Sequence, residues 1–233
     1  MKVLIIGGMH GNEPLGIAVV ERLTRQPVQN VTAVIANPQA QRQNTRFTAS
    51  DLNRSFPGNE ESYEGQRAKE LLALCAGFDL VLDFHNTHCP DNDCVFIGEN
   101  ADEVLLNAAS YMNLKRVIVA DYDCINKYAK NCISVEISLS SPRNDVDAWV
   151  KTITALAAAQ TLPEAHDVVK YRFAYRMTLD DNLTLNLDKV GLQAFQPIAT
   201  ALALKMGVQS PAYPIFIADR YTPYNYGGLL NKL

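Results

Sequence analysis

Val3-Leu4-Ile5-Ile6-Gly7-Gly8-Met9-His10-Gly11-Asn12-Glu13-Pro14 is the stretch on which the reading of the whole chain turns. Four apolar residues make a short buried strand, and the glycines after them permit a tight turn that other residues would resist. Beyond Pro14 the apolar residues of 15–23 fall on one side of a helix. Strand, glycine turn and helix in that order begin an alternating α/β pattern. The turn carries His10 and Glu13, three residues apart. An imidazole nitrogen and a carboxylate oxygen are two of the three protein ligands that a catalytic zinc site commonly uses, so a further histidine is expected elsewhere.

The alternation continues outward. Residues 31–36 read as a second strand, ended where Asn37-Pro38 forces the backbone out of helical geometry. A polar loop is expected up to Gly58, then a helix over 63–74 and a third strand over 79–84, followed by a loop over 85–93. Strands are expected over 94–97, 116–120 and 132–137, with a helix between the first two of these, and a closing helix over 145–159. The fold class is therefore α/β, a mostly parallel or mixed sheet flanked by helices. Past Pro163 the pattern becomes strand-like over 168–177 and 183–187, with a turn at Asp180-Asp181-Asn182. Two units are expected: an α/β domain over 1–162 and a small β-rich domain over 163–233.

The bulk properties suit a globular protein of one sizeable core. The chain has 233 residues, 48% hydrophobic and 20% charged, with a formal net charge of -4. That balance leaves no basic footprint for nucleic acid. The first apolar run is too short for an export signal or a membrane span. Five cysteines without CxxC spacing point to a reduced, cytoplasmic setting. Cys89 and Cys94 lie close enough to the candidate site for a thiolate role to be weighed, though apolar packing is the commoner use of such residues.

His85 and His88 both follow the third strand, and His85 sits at its very end. Functional groups in open parallel sheets gather at the carboxyl ends of strands, which favours His85 as the partner of His10 and Glu13. Glu136 stands inside the apolar strand Ile133-Ser134-Val135-Glu136-Ile137, where an unpaired carboxylate is costly, so it is either a buried ion-pair partner or a catalytic group. The loop 44–54 supplies Arg46, Asn53 and Arg54. Guanidinium forks suit carboxylates and developing oxyanions, so a small anionic substrate is expected.

Taken in order, GGMHGNEP, NPQA, NTRFTASDLNRSF, DFHNT and SVEIS resemble the aspartoacylase and succinylglutamate desuccinylase family, which has a zinc-carboxypeptidase-like fold. The resemblance implies one Zn2+ per chain held by His10, Glu13 and His85, with Glu136 as acid/base. It implies that Arg46 polarises the scissile carbonyl and that Asn53 and Arg54 grip an α-carboxylate, with Asn86 beside them in the substrate site. A tyrosine from the carboxyl-terminal domain, which caps the site, is implied at Tyr221, with Tyr224 or Tyr226 as alternatives. The implied activity is zinc-dependent removal of the acyl group from an N-acyl amino acid. The chain departs from the family near Asn126, where an arginine for a substrate side-chain carboxylate would stand and only Lys127 and Lys130 are nearby. It departs again at His88, where a small polar residue is expected.

Two other readings remain open at this point: a metallocarboxypeptidase acting on short peptides, and a non-catalytic metal-binding or ligand-sensing protein. No nucleic-acid or membrane partner is expected, and the sequence leaves room for a homo-oligomer.

Overall fold

An uninterrupted aliphatic strand is stable only where both of its faces are covered, and β1 (Val3–Gly7) is buried at every position. In the computed structural model, which describes residues 1–59, 61–120, 122–219 and 225–233, it lies near the middle of the first half of a nine-stranded sheet. In chain order, β1 is followed by α1 (Pro14–Arg25), β2 (Val31–Ile35), α2 (Pro38–Gln43), α3 (Tyr63–Cys75), β3 (Leu80–Thr87) and β4 (Cys94–Gly98). Next come α4 (Val104–Tyr111), β5 (Arg116–Ala120), α5 (Ile125–Tyr128), β6 (Cys132–Ser138) and α6 (Val146–Ala158). The remainder forms β7 (Val169–Thr178), α7 (Leu179–Leu185), α8 (Leu187–Val190), α9 (Thr200–Lys205), β8 (Ala212–Ile215) and β9 (Asn225–Lys232).

The strands lie in the order β2-β1-β3-β6-β4-β5-β7-β9-β8. The pairings β1/β2, β1/β3, β3/β6, β4/β5 and β5/β7 are parallel, while β4/β6, β7/β9 and β8/β9 are antiparallel. The sheet is thus mostly parallel, as the alternation of strands and helices requires. From β1 the chain steps outward to β2 and then returns to β3 on the other side of β1. The carboxyl ends of β1 and β3 therefore flank the point at which the winding reverses, where open α/β sheets leave a crevice.

Side chains alternate between the faces with period two. Val3 and Ile5 enter one core with Leu82, Phe84, Val135, Trp149 and Ile153. Leu4 and Ile6 enter a second core with Leu71, Val81, Ile125 and Cys132. The helices α1, α4 and α6 cover the first face, and α3 and α5 the second. No helix among the described residues is long and apolar enough to cross a membrane.

Three expectations are corrected. The third strand runs on to Thr87, so His85 lies within it rather than in a following loop. The segment expected as a polar loop up to Gly58 contains α2, whose first turn is capped by Asn37 accepting from the Ala40 N–H at 3.0 Å, and a single 3-10 turn over Leu52–Arg54. Residues 183–187 form no strand; they fall in α7 and α8. There Thr178 and Asp181 form a reciprocal capping box that satisfies the first N–H groups of α7, so Asp180-Asp181-Asn182 start a helix instead of a turn. Leu183 is 80% exposed, which shows that its place in the apolar alternation did not reflect a buried face.

The carboxyl-terminal segment contributes β7, β9 and β8 to this same sheet, joined through the parallel pairing of β5 with β7. It also adds the short helices α7, α8 and α9, around a small core of Met177, Leu187, Ala203, Tyr226 and Leu229.

Candidate active site

The turn after β1 is built by glycine. Gly8 adopts a φ of +68°, and a Cβ on Gly11 would lie 2.1 Å from the Ala40 carbonyl carbon, so α2 can pack against the turn only if residue 11 has no side chain. Pro14 opens α1 and leaves Glu13 at its N-cap in an extended conformation. His10 and Glu13 are thereby both directed inward, 3% and 2% exposed.

Period-two geometry supplies the rest. On β3, Asp83 and His85 share the face opposite Leu82 and Phe84, and on β6 Ser134 and Glu136 share the face opposite Ile133 and Val135. Parallel register sets Asp83 beside Ser134 and His85 beside Glu136. A polar stripe two strands wide thus lies in otherwise apolar strands. It ends at the crevice.

His10 Nδ1 lies 2.6 Å from Glu13 Oε1, and His85 Nδ1 lies 3.1 Å from Glu13 Oε2. The opposite ring nitrogens face other carboxylates: His10 Nε2 is 3.1 Å from Asp51 Oδ1, and His85 Nε2 is 2.8 Å from Asp83 Oδ2. An N–H donated at Nε2 leaves the Nδ1 lone pair free for an ion, and outer carboxylates of this kind accompany most metal-binding histidines. Donor atoms of His10, Glu13 and His85 all lie within 4.8 Å of one another. Two nitrogens and one carboxylate oxygen, buried together with both imidazoles oriented from behind, fit a divalent cation such as zinc.

The electrostatics agree. Burial by itself would raise the Glu13 pKa, but the charges and hydrogen bonds of His10 and His85 outweigh it and hold this carboxyl far below the usual range. For His85, burial works against the proton, yet Asp83 and Glu13 together raise the ring well above its ordinary value. Burial likewise disfavours the charged form of Asp51, and is overcome by His10, Arg46 and Arg54, so that its pKa is lowered. The Asp83→Asn variant keeps the shape of the buried side chain but cannot accept the Nε2 proton in the same way. It is expected to weaken metal affinity roughly 10- to 100-fold, measured by competition with a chromogenic chelator.

Glu136 is half-buried at the pocket floor and has no hydrogen-bond partner among the described residues. Burial raises its pKa most; His85 and Arg46 pull it down, while Glu13 and Asp219 push it up, and the balance is about 8 against an ordinary 4.5. A carboxyl tuned toward neutrality can take a proton and release it again at physiological pH.

The loop between α2 and α3 brings the cationic groups. Arg46 donates through Nε and Nη2 to Asp51 Oδ2 at 3.3 and 3.2 Å, and its Nη1 lies 3.6 Å from Glu13 Oε1. Arg54, which could have paired with Asp51, instead lies 4.3 Å above the Tyr122 ring and donates to the Asn53 carbonyl at 2.9 Å. Asn53 is 8% exposed, and among the described residues its Oδ1 has no partner, so a buried acceptor is left for a ligand donor. The loop is anchored by buried Glu64, which accepts from the Thr48 N–H and Oγ1 at 3.2 and 2.5 Å and from the Ala49 N–H at 3.2 Å.

His10, Glu13, Arg46, Asn53, Arg54, His85 and Glu136 line one pocket, together with Phe96, Phe173, Arg176 and Phe216. Asn86 also lines it, but its amide is committed, accepting from the Leu15 N–H at 2.9 Å and donating to the Ile137 carbonyl at 3.0 Å. Its backbone N–H, at 3.2 Å from Glu13 Oε2, is what it offers the cluster.

Tyr221 and Tyr224 lie outside the described residues. Tyr226 is 5% exposed and donates to Asp188 at 2.7 Å, away from the pocket. His88 is exposed and does not line the pocket. Asn126 is buried and donates to the Phe96 and Cys132 carbonyls, while Lys127 pairs on the surface with Asp123. The thiolate role weighed for Cys89 and Cys94 does not hold: both are buried free thiols outside the pocket lining. Burial pushes Cys89 up to about 12 and Cys94 well above its ordinary value.

Sequence reasoning missed Asp51, Asp83 and Glu64 as orienting groups, and Asp219 and Arg176 as pocket groups. Period two could have found Asp83, two residues before His85 on the same face. Nothing local marks Asp219 or Arg176, which arrive from the other end of the chain.

The family profile of the succinylglutamate desuccinylase/aspartoacylase catalytic domain matches residues 1–138. A rat N-acyl-aromatic-L-amino acid amidohydrolase (carboxylate-forming) is 30% identical over 135 residues, covering 49% of this chain and 42% of that protein. The zebrafish form A is 29% identical over 197 residues, covering 70% of this chain and 60% of that protein. The match thus spans about half the length of these relatives. A crystal structure of succinylglutamate desuccinylase from Chromobacterium violaceum superposes with a TM-score of 0.72 at 19% identity, covering 99% of this chain and 84% of that one. With more than half of its length matched by the family profile, the chain belongs to the succinylglutamate desuccinylase/aspartoacylase family.

Proposed function

We propose that this protein is a zinc-dependent amidohydrolase that cleaves an N-acyl amino acid into a carboxylate and a free amino acid. The observation that carries the reading is the convergence of His10, Glu13 and His85 beside a perturbed, unpartnered Glu136. The amidohydrolase relatives support the same bond type.

His10, Glu13 and His85 would hold the zinc ion, which when bound supplies Lewis-acid polarisation of the acyl carbonyl and acidifies water. Asn53 and Arg54 hold the α-carboxylate, by donation from the Asn53 side-chain Nδ2 and from a guanidinium stacked on Tyr122. Arg46, kept in place by Asp51, stabilises the negative charge that develops on the carbonyl oxygen. Glu136 takes a proton from the attacking water and hands it to the departing nitrogen, so atoms balance without a further reactant. The aromatic side chains Phe96, Phe173 and Phe216 shield the reacting centre from bulk water. Tyr221 remains the proposed carboxyl-terminal contact by resemblance. Five unpaired thiols are in keeping with a reducing, cytoplasmic setting.

The test is a screen of zinc-quantified protein against acetyl, formyl and succinyl amino acids and against dipeptides, read as release of free α-amine. Turnover of acyl amino acids is expected. Turnover of dipeptides alone would replace the reading with a carboxypeptidase, and full zinc content without any turnover would replace it with a binding protein.

A further inference from the structure

Arg176 reaches the pocket only because β7 is irregular. In a regular strand the residues facing the same way as Phe173 would be Tyr175 and Met177, and Arg176 would point to the other face. The pairing with β9 shifts register between Phe173 and Tyr175: Phe173 pairs with Leu230, Tyr175 with Leu229 and Arg176 with Gly228. One extra residue, Ala174, is thereby accommodated on β7, the parity changes, and Phe173 and Arg176 both line the pocket. Tyr175 and Met177 turn instead to the small core around Leu187 and Leu229. A bulge of this kind beside a site re-aims a side chain at a cost in pairing.

The opposite strand leaves room for it. Gly227 and Gly228 on β9 also line the pocket, and Gly228 stands directly across from Arg176. A Cβ on Gly228 would lie 2.6 Å from the Phe173 ring, so a side chain there would intrude on the space that Phe173 occupies.

Charge accounting separates Arg176 from the other two guanidinium groups. Arg46 is held by Asp51 and lies near Glu13, and Arg54 is engaged with the Asn53 carbonyl and the Tyr122 ring. Among the described residues Arg176 has neither a hydrogen bond nor an ion pair, although it is a planar fork suited to a carboxylate. It is also carried by a different part of the chain from the pair that takes the α-carboxylate.

We propose that Arg176 is a specificity-determining residue that receives a second carboxylate of the substrate, beyond the α-carboxylate. This rests on the acyl amino acid reading given above. The second carboxylate belongs either to a dicarboxylic acyl group or to an acidic amino-acid side chain, and Phe96, Phe173 and Phe216 line the same pocket as Arg176.

The experiment compares the zinc-loaded parent, Arg176→Gln and Arg176→Lys. Glutamate, glutamine, succinate and the monocarboxylate butyrate are titrated calorimetrically. Values of kcat/KM are measured for N-acetylglutamate, N-acetylglutamine and N-succinylglutamine. The parent is expected to prefer the acidic member of one pair, and Arg176→Gln to shrink that preference roughly 10- to 100-fold, with partial recovery in Arg176→Lys. The pair that collapses identifies the half of the substrate that carries the charge. A preference that weakens with added salt agrees with a guanidinium exposed at the pocket.

Equal losses for acidic and neutral members in Arg176→Gln, or no change in either, would overturn the assignment. The calorimetric arm decides the matter even without catalysis. Discrimination lost in Arg176→Gln with no hydrolysis by any form would uphold the anion site and refute the proposed reaction instead.

Discussion

Glu136→Gln is expected to lower kcat by about 10²- to 10⁴-fold, while zinc content stays at the parent level. The amide keeps the size of the carboxyl but cannot accept a proton from water, and Glu136 is not among the three clustered donors. Steady-state kinetics on metal-quantified protein checks both halves at once, and undiminished turnover would remove the proton carrier from the mechanism. A pH signature accompanies it. Burial raises the Glu136 pKa first, against the pull of His85 and Arg46, to about 8 from an ordinary 4.5 in the metal-free protein. A cation nearby lowers it, so the acid limb of kcat/KM should fall between 4.5 and about 8, with activity lost as pH drops and Glu136 becomes protonated.

The same residue is expected to cost stability. An unfolded Glu136 ionises near 4.5, whereas the folded one resists ionisation until about 8, so folding is progressively penalised as pH rises through that window. In metal-free protein, Glu136→Gln should therefore raise Tm at pH 8 to 9, and the gain should shrink toward pH 5. A gain that grows on acidification would contradict the environment assigned to this carboxyl.

Glu13→Ala is the second large effect. Glu13 lies between two buried imidazoles, 2.6 Å from one and 3.1 Å from the other, and also accepts from the Asn86 N–H. Removing it leaves polar rings facing each other with no acceptor between them, a loss of about 3–5 kcal/mol by analogy with broken buried ion pairs. Bound zinc is expected to vanish in the same variant, because the two remaining nitrogen donors lose the one carboxylate among the three clustered ligands. Urea denaturation at pH 7 with metal analysis reads both. The sign of the pH dependence follows from the lowered Glu13 pKa: burial opposes the charge, His10 and His85 more than compensate, and the stabilisation is present above about 4.5 and lost on acidification. Parent-like stability with full zinc would place the metal elsewhere.

The legible part of the site was the part that sits at strand ends. His10, Glu13 and His85 could be read because β1 and β3 announce themselves as aliphatic runs, and groups at their carboxyl ends share a crevice in any sheet wound this way. Glu136 could be read because a carboxylate among Ile133, Val135 and Ile137 contradicts its surroundings. The helix boundaries of α1, α3 and α6 were close for the same reason of periodicity. Residues 183–187 were misread because leucines at alternating positions resemble a strand face, and the Thr178/Asp181 capping box that makes the segment helical is a weaker local signal than the alternation.

What the amino-acid order determined by itself was the alternation of strands and helices, the parallel winding it forces, and the identity of the four groups that gather at its crevice. These are local or nearly local consequences of chain stiffness, glycine turns and period-two burial. Only the tertiary structure decided that Asp51 and Asp83 stand behind the two histidines, that Asn86 spends its amide on backbone, and that Phe173 and Arg176 reach the pocket from β7, a strand added beyond β5. Those contacts join residues far apart in sequence, and a bulge of one residue on β7 was enough to choose which side chain faces the pocket. Register and parity at such distances are set by packing, which no short stretch of sequence encodes.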